Sequence, residues 1–124
     1  CSNVNEAGGV DFLRAWEADI IIQSGWSQKF GPEVLGIPRI ACIGEHPAPL
    51  PRGRGAACVN WAIITGEKEW GDTFYRMEEK YDTGEIYAQI TLFPPSRDVS
   101  ASDALQTYIL VLLPLKSMLK KAPG

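Results

Sequence analysis

The chain has 124 residues, enough for one domain spanning 1–124 and not for two. A formal charge of −3 leaves no basic footprint for a polyanion, which sets aside nucleic acid as a direct partner, and a hydrophobic content of 45% with four Trp, four Tyr and four Phe excludes a disordered chain. The longest apolar run, "YILVLLPL" at 108–115, falls short of the roughly 20 residues that cross a bilayer, so no membrane partner is expected.

In chain order, "VDFLRAWEAD" sets Val10, Leu13 and Trp16 on one face of a short helix, with Phe12 beside them and Asn5 as a candidate cap. "DIIIQSGW", 19–26, holds three consecutive isoleucines; such β-branched runs belong to strands buried on both faces, which predicts a central strand. "GPEVLGIPRIACIGEH" predicts a loop with one helical turn, then a second buried strand, "RIACIG". "AACVNWAIITGE" predicts a buried helix closed by Gly66. "WGDTFYRM", 70–77, and "EIYAQITLF", 85–93, predict two further strands. From Ser100 onward, Leu105, Tyr108, Ile109, Leu112, Leu115 and Leu119 recur at helical spacing, predicting a terminal helix kinked at Pro114.

Three cysteines, Cys1, Cys42 and Cys58, cannot all pair and show no metal-ligand spacing, so a cytoplasmic location and no metal are expected. A start at Cys rather than Met suggests absent upstream sequence; a lipoprotein start is the lesser reading.

Two polar segments invite a functional reading. "HPAPLPRGRG" holds His46, the only histidine, at the expected carboxyl end of a strand, where α/β sheets bind ligands. Its plainer reading is a polyproline II segment of the kind peptide-binding modules read. In "KYDTGEIYAQ", Asp82 precedes Thr-Gly; alone, that is an Asx-type turn.

Together, "HPAPLPRGRGAACVNWAI" and "WGDTFYRMEEKYDTGEIYAQ" resemble the formyltransferases that use 10-formyltetrahydrofolate. His46, Pro51, Arg54 and Gly55 match the family's first motif; Asp82, Gly84, Ile86 and Gln89 match its second, 36 residues on. The resemblance implies a three-layer Rossmann-like α/β fold, present in part, with parallel strands followed by an antiparallel or mixed pair and flanking helices. The chain resembles the later half of the family's catalytic domain.

What the resemblance implies is transfer of a formyl group from 10-formyltetrahydrofolate, as co-substrate, to a primary amine, an amino-sugar nucleotide being one candidate. His46 and Asp82 take the catalytic positions. Gly44 stands where the family places an asparagine that steadies the oxyanion, a degenerate position. Ser24, Gly25, Trp26, Leu50, Pro51, Arg54, Gly55 and Tyr81 are the expected folate-binding residues. The alternative is a non-catalytic domain of the same fold, used for binding or assembly. A homo-oligomer is expected through the strand edge at 19–24 and the terminal helix.

Overall fold

The structure, a computed structural model, describes residues 3–92. The expected terminal helix and the end of the 85–93 segment lie outside the described residues. Seven elements follow one another: α1 (Ala7–Arg14), β1 (Ile20–Gln23), α2 (Pro32–Leu35), β2 (Ala41–His46), α3 (Cys58–Thr65), β3 (Trp70–Arg76) and β4 (Ile86–Leu92). The strands form one mixed sheet in the order β1-β2-β3-β4, with β1 and β2 parallel and the other two pairs antiparallel.

The centre of this sheet is not the strand that the isoleucine run predicts. β1 lies at the end of the described sheet and leaves Ile22 39% exposed. β3 has a ladder on each side, and Trp70 through Tyr75 are all buried. An apolar run reports how a strand's faces are covered; it carries no information about which strands pair along its edges.

Around the sheet, one apolar cluster joins Val10, Phe30, Val34 and Cys42, with Ile21 and Met77 packed against it. A second joins Ala48, Cys58, Val59, Ala62 and Trp70. α1 begins and ends earlier than its periodicity predicts. Trp16 falls beyond it and stands 70% exposed, its ring edge-on to Phe12 at 5.8 Å. Asn5 does not cap the helix: its side chain accepts from the Gly31 amide at 2.6 Å and donates to the Lys29 carbonyl at 2.8 Å, tying the front of the chain to the loop before α2. α2 is the single turn expected, opened by Pro32 in a first-turn position that suits its missing donor.

α3 closes at Gly66, in the left-handed region at φ 68°, as expected. It is not buried all round. Cys58, Val59 and Ala62 face the second cluster, while Trp61 and Ile64 are exposed. Its apolar composition hides this because the exposed positions are as hydrophobic as the buried ones.

Candidate active site

His46 is the last residue of β2, paired across the ladder with Thr73. The chain then makes a tight turn into α3, and the side chains of β3 and β4 hold that turn closed. Thr73 Oγ1 donates to the Ala48 carbonyl at 2.7 Å and accepts from the Leu50 amide at 3.2 Å. Gln89, on β4, donates to the Leu50 carbonyl at 2.8 Å, and Trp70 Nε1 donates to the Pro47 carbonyl at 2.7 Å. The proline-rich stretch is therefore bonded to the sheet at several points. A free polyproline II ligand has a fully solvated backbone, so that reading is set aside.

At Gly53 the chain takes φ 78°, and a Cβ there would lie 2.7 Å from the Ala48 Cβ, so both the left-handed backbone and the close approach require glycine. The Gly53 carbonyl accepts from His46 Nε2–H at 2.7 Å, which fixes the imidazole plane.

Asp82 reaches the same place from the turn between β3 and β4. Its Oδ2 accepts from the Gly55 amide at 3.1 Å and lies 3.9 Å from His46 Nε2; its Oδ1 accepts from the Tyr75 hydroxyl at 3.0 Å. Its own carbonyl accepts from Arg54 Nε at 3.1 Å. The His46 and Asp82 side chains are 12% and 8% exposed, so both are largely shielded from solvent.

The pair lies on a cleft of about 430 Å³. Of the expected binding residues, Trp26, Gly55 and Tyr81 also line it. Trp26 and Tyr81 expose their rings at 49% and 62%, and Lys29 Nζ lies 5.2 Å from the centre of the Tyr81 ring. Ser24 faces a neighbouring groove and donates to Glu45 Oε2 at 2.8 Å. Leu50 is buried in the turn, Pro51 is exposed beside it, and Arg54 spends its guanidinium on the Asp82 backbone; Gly25 makes the left-handed turn after β1 at φ 63°. None of these five lines the cleft that holds His46 and Asp82.

Sequence reasoning missed Glu45 and Tyr75, both on the cleft wall. Their signal was positional: Glu45 adjoins His46, and Tyr75 stands opposite Gly44. Asp72, on β3, is wholly buried and neither carboxyl oxygen finds a hydrogen-bond partner among the described residues. Burial first, then the charge of Glu45, push its carboxyl up to about 8. Burial pushes the Cys42 thiol up to about 11 and raises Cys58 too, so neither is poised as a thiolate nucleophile. Among the described residues no three His, Cys, Asp or Glu gather as a metal would need, and no helix is long and apolar enough to cross a membrane.

A mixed α/β sheet with an imidazole at a strand's carboxyl end and a carboxylate facing it defines a site equipped for acid–base chemistry. Residues 3–103 match the sequence profile described as formyl transferase, and the chain belongs to the formyl transferase family. It is 39% identical over 89 residues to the methionyl-tRNA formyltransferase of Agathobacter rectalis, covering 72% of this chain and 29% of that protein. It is 33% identical over 100 residues to the bifunctional polymyxin resistance protein ArnA of Wigglesworthia glossinidia brevipalpis, covering 81% and 15%. Among solved structures it superposes on phosphoribosylglycinamide formyltransferase from Bacillus halodurans with a TM-score of 0.72 at 27% identity, covering 92% of this chain and 61% of that one. It also superposes on HypX from Aquifex aeolicus in complex with tetrahydrofolic acid, with a TM-score of 0.70 at 28% identity, covering 93% and 21%. The chain thus has the Rossmann-like formyltransferase fold that its motifs imply, in part, and spans less than a third of the curated relatives named here.

Proposed function

We propose that these residues form the folate side of an enzyme that moves a formyl group from 10-formyltetrahydrofolate to a primary amine. The observation that carries the reading is the 3.9 Å approach of Asp82 Oδ2 to His46 Nε2 on the wall of a cleft rimmed by Trp26 and Tyr81. A flat, partly apolar pterin suits such a rim, and the tetrahydrofolate complex of HypX supports a folate here.

In the reaction the amine nitrogen forms a bond to the formyl carbon, and the carbonyl electron pair moves onto oxygen. The intermediate collapses with cleavage of the bond between the formyl carbon and N10 of the folate. N10 gains a proton and the amine loses one. In this reading His46 donates to the developing oxyanion. Asp82 is placed to pass the amine's proton through a water.

The acceptor is a small-molecule amine in this reading, an amino-sugar nucleotide among the candidates; the net charge of −3 gives these 124 residues themselves no basic footprint for a nucleic acid. We also place the protein in the cytoplasm and as a homo-oligomer through the β1 edge, which no described strand covers. Gly44, which offers no side-chain donor, favours a second reading, a domain that binds folate without turnover.

Titration with a folate analogue, followed by tryptophan fluorescence, tests both readings: a quenched Trp26 signal is expected, and no binding at millimolar analogue overturns the folate site. Turnover of 10-formyltetrahydrofolate that disappears in His46→Ala selects the enzyme over the binding domain.

A further inference from the structure

Tyr75 stands across the β2–β3 ladder from Gly44, and its ring lies over that glycine. A Cβ at position 44 would sit 2.9 Å from the ring Cζ and 3.0 Å from the ring Cε1 and the hydroxyl oxygen, so the ring would have to shift to admit it. The space a side chain at 44 would use is filled by a phenol.

That phenol is buried, 6% exposed, and borders the cleft. A phenylalanine would fill the same volume without carrying a polar atom inward, and a buried hydroxyl is costly unless it is bonded. Here it is bonded to one of the two oxygens of Asp82. The other oxygen takes the Gly55 amide and faces His46. Burial and the Asp82 carboxylate push the phenol's ionisation up, so it remains a donor at ordinary pH.

We propose that Tyr75 is a positioning residue of the active site, whose hydroxyl holds the Asp82 carboxylate with Oδ2 turned toward His46, and that Gly44 is small in order to admit its ring. The inference rests on the active-site reading above, because a fixed Asp82 matters only where Asp82 works.

The test reads the Gly55 amide, which reports the position of Oδ2, in amide-correlation NMR spectra of wild type, Tyr75→Phe, Gly44→Ala and Asp82→Gly. The last supplies the signal of a Gly55 amide without its carboxylate, and glycine suits the left-handed φ of 53° at position 82. We expect the Gly55 signal of Tyr75→Phe to move toward that of Asp82→Gly, while the Leu50 amide, bonded to Thr73, stays in place. Gly44→Ala, which pushes the ring aside, should move it the same way. A Gly55 signal unmoved in Tyr75→Phe overturns the proposal, since the ring is kept and only the hydroxyl is lost. Turnover adds a second readout: kcat falling about tenfold with the folate-analogue Kd unchanged, one hydrogen bond's worth of positioning, supports it. The amide measurement needs no folate, so a failure of the formyl-transfer reading shows separately, as absent binding by the wild-type chain.

Discussion

His46 Nε2 and Asp82 Oδ2 face each other at 3.9 Å on the wall of one cleft, although 36 residues separate them in the chain. The distance leaves each group its own partners, Gly53 for the imidazole and Gly55 with Tyr75 for the carboxylate. Truncating His46 to alanine is expected to cost about 100- to 1,000-fold in single-turnover formyl transfer, the usual loss for one oxyanion donor, while stability falls by only about 1 kcal/mol with the Gly53 bond. Rapid-quench kinetics beside urea unfolding separate the two effects; equal losses in both would remove His46 from the chemistry.

Thr73 bonds both the Ala48 carbonyl and the Leu50 amide and accepts from Gln89, so Thr73→Val removes three hydrogen bonds, while the Leu50 amide keeps its bond to the Ala48 carbonyl at 3.0 Å. The loss is about 1–3 kcal/mol in all. We expect the urea midpoint to fall accordingly and folate-analogue affinity to drop with it, because the turn that carries His46 and Gly55 loosens. A midpoint within error of wild type would show that the turn stands without Thr73.

Asp72 sets a pH dependence whose sign is opposite to that of a salt-bridged carboxylate. Its folded pKa of about 8 lies above the ordinary 3.8, so between those values the folded chain holds a proton that the unfolded chain has released. Stability therefore falls as pH rises through that window and keeps its full value below it. Asp72→Asn cannot ionise, and it should flatten the decline between pH 5 and pH 8 in urea unfolding. An equally steep decline in the variant would assign the dependence to other groups.

The outer edge of β1 pairs with no described strand, and Phe12, Trp16 and Ile22 are exposed. Uncovered apolar edges recruit partners. Light scattering at micromolar concentration is expected to show an oligomer, reduced toward monomer by Ile22→Lys. A wild-type monomer would count against this interface.

Much of the site was legible in the sequence because its residues are held by local chain geometry. His46 ends a strand whose apolar run marks its length, Pro-rich and Gly-rich wording marks the turn that follows, and the resemblance of the two motifs to the family pattern singles out Asp82 as the acid expected beside it. The family follows from the same residues.

The tertiary structure decided what depends on which backbone lies beside which. β3, not the isoleucine strand, runs through the middle of the described sheet, because edge pairing is a matter of hydrogen bonds between distant segments and leaves no trace in hydrophobicity. Read alone, Gly44 is a missing donor; opposite Tyr75 it is the gap that lets a phenol reach Asp82. Asp72 reads as one more strand residue until burial shows its carboxyl without a hydrogen-bond partner among the described residues. In each case the sequence specifies the side chain, and its energy is set by neighbours that only the folded ladder brings within about 3 Å.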